Sequence, residues 1–341
     1  MSTYVNAQTV AASLPAAKDR ARKLRKTAIR SLATVVLLTL LFWQIPLRDV
    51  WGDICGMDVS SLIVVLILAV PTQYLQFVRW ATLAKDAGPG VSRADIHRGF
   101  WVGYTLGLIT PGRIGQYGRA LALHNCSLAR AAGLTFLERT YSALVINGLG
   151  LIAVVLLPLL GWVPPYPNTG ILVSIVCLAA GAAVLGLGIF PALLSKPLLW
   201  VTRRLPFGSK LARAVDVLSL VSPRRGAWLL ALAALGLASA LLQFVVLLYA
   251  LKAPVPLFAG MLAALLTFFL KGNIPIGIGN LGVGEWTAVI CLAGLGVKAP
   301  VAVSASLVLF FINVFVPGLI GLPFMSSLRM PDLHESREAT S

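Results

Sequence analysis

Charge is what this sequence has least of. In 341 residues there are 12 Asp and Glu against 28 Lys and Arg, so charged side chains make up 12% of the chain. A soluble domain carries about 25%. The three histidines, His97, His124 and His334, do not have the spacing of metal ligands. The four cysteines, Cys55, Cys126, Cys177 and Cys291, include no CxxC pair and read as small buried apolar residues. GxSxG, HExxH and P-loop motifs are missing, and no acidic cluster suits magnesium and pyrophosphate chemistry. These absences exclude an ATPase and weigh against a lipid-modifying enzyme, and no metal or cofactor is expected. Zinc-finger and RNA-binding motifs are also missing, so the net charge of +16 does not point to nucleic acid. Strand-like alternation is missing too, which excludes a transmembrane β-barrel.

Hydrophobic residues fill 58% of the chain, and its mean hydropathy is +0.88. Uncharged runs long enough to cross a bilayer core, about 20 residues, recur along it. They predict an all-α polytopic membrane protein with full spans at 31–47, 60–84, 141–161, 169–193, 227–251 and 301–322. A basic segment, 1–30, precedes this 31–325 membrane domain, and a polar tail, 326–341, follows it. The first apolar run has no small-residue cleavage site and reads as a span, not a signal peptide. Trp43, Trp51, Trp80, Trp162 and Trp228 sit near span ends, as interface tryptophans or as ordinary packing. Arg79, near the end of the second span, reads as a side chain that snorkels to the interface.

Basic residues alternate between loops. Seven lie between 18 and 30, and seven between 194 and 226, while Asp49, Asp53 and Asp58 dominate 48–59. That pattern predicts a cytoplasmic N-terminus and, with an even span count, a cytoplasmic C-terminus. The 194–226 loop also suits anionic lipid head groups.

Two regions do not read as simple spans. One is GFWVGYTLGLITPGRIGQYGRALALH, residues 99–124; the other is 255–297, which contains KGNIPIGIGNLGVGEW. Each starts apolar, breaks at a proline, passes glycines, and resumes as a helix. The breaks fall at Pro111, Gly112 and Gly115, and at Pro275, Gly277, Gly279, Gly282 and Gly284. Non-helical backbone at membrane depth must be buried in protein or line a wet cavity. Both regions are therefore expected to be broken or re-entrant helices. One lies in each half of the chain, as in an inverted repeat with a site near the midplane.

The candidate site residues lie in and around these breaks. Arg113 and Arg119 follow the first break, where free N–H groups and a guanidinium suit a phosphate. Both could instead snorkel to the surface. Glu138 and Arg139 are adjacent, so on a helix they point about 100° apart and do not pair. Arg113 or Arg119 is the expected partner of Glu138, in a structural interhelical pair. Glu285 has two readings. It caps the first turn of the helix that follows it, or it faces a polar cavity as a counter-charge. Tyr141, Ser142, Asn147, Asn273 and Asn280 extend the polar trace, as interhelical glue or as ligands.

With those residues in place, the chain resembles the lysylphosphatidylglycerol synthase transmembrane-domain family of flippase-like membrane proteins. The segment from Pro111 to Arg119 resembles a PxxxGE-xx-R motif, Glu138-Arg139 an ERxxD motif, and Pro275 through Glu285 a late Pro, Gly-rich, Glu motif. The likeness covers roughly residues 30–325. It departs at Gln116, where the family usually has Glu, and at Ser142, where it often has Asp. If those carboxylates hold a cationic head group, this chain should prefer an anionic or neutral one. The resemblance implies movement of a phospholipid or lipid-linked molecule between leaflets of a bacterial plasma membrane. Substrate binding would fall to Arg113, Gln116, Arg119, Glu138, Arg139, Asn273 and Glu285. The alternative is a non-transporting, lipid-binding accessory that partners a lipid-biosynthesis enzyme, for hopanoids or other envelope lipids. The soluble aminoacyl-transferase domain of fused members has no counterpart here, so lysine transfer is not implied.

Overall fold

The computed structural model describes residues 38–110, 112–162, 170–202, 221–274 and 279–328, with 32, 35, 36, 204, 215 and 218 singly. Among them every regular element is helical. The helices are α1 (Leu47–Cys55), α2 (Val59–Ala84), α3 (Arg93–Ile109), α4 (Leu128–Leu159), α5 (Ile171–Ile189), α6 (Ala192–Thr202), α7 (Pro223–Ala250), α8 (Leu257–Asn273), α9 (Val283–Ala293), α10 (Ala299–Phe310) and α11 (Val316–Ile320). A 3₁₀ segment, Ile114–Ala122, separates α3 from α4, and a π turn, Phe311–Phe315, joins α10 to α11.

Among the described residues five stretches are long and apolar enough to cross a membrane: Val59–Ala87, α4, α5, α7 and Ala299–Ile320. The protein is thus a multi-pass membrane protein. The span expected at 31–47 falls partly outside the described residues, although 38–44 are helical. The third span was expected to begin at Tyr141. It belongs instead to a 32-residue helix that starts at Leu128, so Glu138 sits inside a helix and not ahead of one. At about 1.5 Å per residue that helix is about 48 Å long, well over the ~30 Å hydrocarbon core. Part of the 194–226 stretch, expected to be a loop, is α6; most of the rest lies outside the described residues.

Local chemistry starts several of these helices. The Asp58 carboxylate caps α2 by accepting from the Ser61 N–H, at 2.8 Å. The Ser60 hydroxyl, which donates to the same carboxylate, and then the Ser61 groups hold the Asp58 pKa down to about 2. Ser92 and Asp95 form a reciprocal capping box on α3. Burial opposes charge on Asp95, but hydrogen bonds from Ser92 and His124 outweigh it and leave the pKa lowered. Ser222 caps α7, which begins with Pro223.

Packing relies on small residues where helices come close. Gly148 of α4 and Gly181 of α5 face each other; a Cβ on Gly181 would lie 2.7 Å from the Gly148 carbonyl oxygen. The outer faces are apolar, as lipid contact requires: Ile171 and Leu172 of α5 are 82% and 74% exposed. Trp43, Trp51 and Trp228 are exposed. Trp80 and Trp162 are buried, and their indole N–H groups donate to the carbonyls of Ile96 and Cys291. Those two tryptophans pack the interior and do not mark an interface.

Candidate functional site

The first broken region is built on a glycine stripe. Gly99, Gly103 and Gly107 recur every four residues along α3 and so lie on one face. The 3₁₀ segment lies across that face. A Cβ on Gly103 would meet the Arg119 side chain at 2.3 Å, and one on Gly107 would meet Gln116 Cγ at 2.6 Å. Gly115 abuts α3 from the other side, where a Cβ would fall 2.0 Å from the Leu106 carbonyl oxygen. The chain leaves α3 through two consecutive left-handed residues, Gly112 (φ 59) and Arg113 (φ 57). A left-handed conformation is costly for a residue with a Cβ. Here the Thr110 hydroxyl accepts from the Gly115 N–H at 2.6 Å and the Thr110 carbonyl accepts from the Arg113 N–H at 3.2 Å, which hold the turn.

This arrangement carries Arg119 into the interior, 1% exposed, opposite Glu138 on α4. Glu138 bridges two helices. Its Oε2 accepts from Arg119 Nη1 at 3.1 Å, and its Oε1 accepts from Arg79 Nη2 at 2.6 Å and Arg79 Nε at 3.0 Å. Arg79 Nη2 also donates to Ser142 Oγ at 2.6 Å. The expectation that Arg79 snorkels is therefore wrong. It is 3% exposed because a carboxylate one helix away satisfies it, and leaving it at the interface would strand Glu138. Arg119 keeps Glu138 as partner, as expected; Arg113 does not share it. The Arg119 guanidinium also lies over the Phe100, Trp80 and Tyr104 rings, at 5.2, 5.5 and 5.9 Å.

Arg113 stacks over the Tyr104 ring at 5.6 Å, and its Nε is buried without a hydrogen-bond partner. The Tyr104 hydroxyl donates to Gln76 Oε1 at 3.0 Å. Gln116 is 1% exposed, and its Oε1 also lacks a partner.

The second broken region repeats the backbone device. α8 ends at Asn273, and the chain turns through left-handed Gly279 (φ 60) and Asn280 (φ 67), then Gly282 (φ 84), into α9. Glu285 occupies the first turn of α9. Its Oε2 accepts from the Gly282 N–H at 2.7 Å and its Oε1 from Ser306 Oγ at 3.2 Å. Of the two readings of Glu285, the helix-capping one describes its contacts. The carboxylate is nonetheless 1% exposed and within electrostatic range of Lys271. Asn273 is exposed and donates to Asn147 Oδ1 at 2.8 Å, which ties α8 to α4. The two breaks also touch each other: the Gly279 N–H donates to the Thr110 carbonyl at 3.4 Å.

Electrostatics connect the two regions. Arg113 lies within range of Arg119 and Arg139, and Lys271 within range of Arg113 and Glu285. Among the described residues around the breaks, the cations Arg79, Arg113, Arg119, Arg139 and Lys271 are set against two carboxylates, Glu138 and Glu285. Sequence reasoning missed Arg79, Lys271 and Tyr104 as members of this cluster. The available signal was two unexplained cations in otherwise apolar stretches, together with the four-residue glycine spacing. Pro111, Pro275 and Gly277 lie outside the described residues. Gly284 is buried at the start of α9. No group of three or more His, Cys, Asp or Glu able to hold a metal occurs among the described residues.

Fold and site together define an all-helical, multi-pass membrane protein with an ionic cluster buried beneath two interrupted helices. The chain belongs to the family described as the lysylphosphatidylglycerol synthase TM region, whose model matches residues 27–321. No curated protein matches the sequence.

Proposed function

We propose that the protein moves a phospholipid or lipid-linked molecule between leaflets, with its phosphate held between the two breaks. The observation that carries this reading is the charge imbalance there. Arg113 lies within electrostatic range of Lys271, Arg119 and Arg139 and makes no ion pair of its own. Lys271 has, among the described residues, only the Glu285 carboxylate within range and the Phe268 ring beneath it, in a setting where an uncompensated charge is costly. An anionic group between Arg113 and Lys271 removes the repulsion and supplies an acceptor for Arg113 Nε. The matching pairs of left-handed residues, Gly112-Arg113 and Gly279-Asn280, support an inverted repeat whose breaks enter from opposite faces. In this reading the N- and C-termini are cytoplasmic and the membrane is the plasma membrane. Gln116, in place of a carboxylate, leaves the cluster cationic and favours an anionic or neutral head group.

The test is reconstitution into vesicles containing a head-group-labelled fluorescent phospholipid, with an impermeant quencher outside. Wild-type protein should expose inner-leaflet label to the quencher, and Arg113→Ala should slow that exposure at least tenfold. Wild-type vesicles that quench no faster than empty ones would overturn the transport reading. Specific co-purification of one lipid class in that case would favour the accessory alternative.

A further inference from the structure

A second polar cluster lies where α2, α7 and the 299–320 helix meet, one turn along α2 from Gln76, which accepts from Tyr104. It consists of neutral amides. Gln243, 0% exposed in α7, donates from Nε2 to the Val65 carbonyl at 2.9 Å. That bond fixes its orientation, so Oε1 faces Asn313 and accepts from Asn313 Nδ2 at 2.7 Å. Asn313 is thereby fixed as well, and its Oδ1 is buried with no hydrogen-bond partner. Gln73 of α2 donates from Nε2 to the Asn313 carbonyl at 3.2 Å, which leaves Gln73 Oε1 buried and unpartnered in the same way.

The backbone explains why these groups meet. Asn313 sits in the π turn Phe311–Phe315, and π turns inside α-helices are frequent at functional sites. Pro317, four residues on, has no N–H for the Asn313 carbonyl, so Gln73 supplies the donor. Swapping oxygen and nitrogen on any of the three amides would set two like groups against each other. Both unpartnered atoms are therefore acceptors, and what they lack is a donor or a cation. Among the described residues no carboxylate hydrogen-bonds to these amides, which argues against a divalent ion. Neutral carbonyl oxygens beside an irregular turn in a membrane helix are the donor set that alkali-metal ions take.

We propose that Gln73 Oε1 and Asn313 Oδ1, with the second lone pair of Gln243 Oε1, form a site for a small monovalent cation of the Na⁺ class. Water completes its coordination. The site stands apart from the lipid reading and is measured without any lipid movement. Purified protein would be unfolded thermally in sodium chloride and in N-methyl-D-glucamine chloride at equal ionic strength. Sodium should raise the midpoint saturably, by about 2–4 °C, through mass action, and Gln73→Leu should abolish the difference. Superimposable curves in the two salts would overturn the site, leaving the amides to bind water only, as would a difference that Gln73→Leu retains. If Gln73→Leu does not fold, Gln73→Glu decides. Its added charge should lower the half-saturating sodium concentration at least fivefold, and an unchanged value would overturn the proposal.

Discussion

In the first broken region, 93–122, the carboxylate that balances the buried arginines comes from another helix. Glu138 reaches from α4 to Arg119 on the 3₁₀ segment and to Arg79 on α2. In the second, 257–293, the carboxylate serves its own helix: Glu285 caps α9 through the Gly282 N–H. The backbone turns alike in both, through paired left-handed residues. The difference shows that similar breaks can be stabilised by long-range ion pairing or by local capping, and the two should respond differently to substitution.

The largest effect should come from Glu138→Gln. It leaves two buried guanidinium groups facing each other without a counter-charge, and breaking such a pair costs about 3–5 kcal/mol. Denaturant or thermal unfolding in detergent measures this. The triple change Arg79→Met, Arg119→Met and Glu138→Leu, which leaves no member of the ion triad behind, should be milder than Glu138→Gln alone if desolvation of the ions dominates. Next comes glycine packing. Gly115→Ala drives a methyl into the Leu106 carbonyl and should cost about 1–3 kcal/mol or more. Gly272→Ala, with nothing within 4 Å of the added carbon, should be neutral or mildly stabilising in the same assay. Equal losses would remove the contrast between the two breaks.

Glu285→Gln should cost less than Glu138→Gln, about 1–2 kcal/mol, because an amide oxygen still accepts from Gly282 while the attractions to the helix dipole and to Lys271 are lost. A loss as large as that of Glu138→Gln would mean that Glu285, too, acts over long range. The smallest effect concerns Asp58, another carboxylate that serves its own helix. Its folded pKa, about 2, lies below the ordinary 3.8. The stability it contributes is therefore complete above pH 3.8 and lost as pH falls toward about 2. Asp58→Asn should flatten the acid limb of a stability–pH curve over that window and leave neutral-pH behaviour nearly unchanged.

Much of the site could be read from particular residues. Glycine and proline cannot continue a helix cheaply, so both breaks were visible, and the partner of Glu138 could be narrowed to Arg113 or Arg119 because each needs a counter-charge, the structure choosing Arg119. Arg79 was misread because snorkelling and burial look alike without knowledge of which helix faces it. Lys271 was passed over because a lone lysine at the end of an apolar run usually marks only the interface. The start of α4 was placed thirteen residues late because Arg130, Glu138 and Arg139 interrupt the apolar run, although they do not interrupt the helix.

Hydrophobicity and its interruptions are local properties of a chain, and by themselves they determined that this one crosses a membrane several times and breaks twice. Pairing is not local. That Glu138 takes Arg79 as well as Arg119, that Gly279 meets Thr110, and that Gln73, Gln243 and Asn313 share one hydrogen-bonded chain were decided only when the helices packed. A buried polar group takes whichever partner the neighbouring helix brings within reach, and residues far apart in sequence carry no record of that distance.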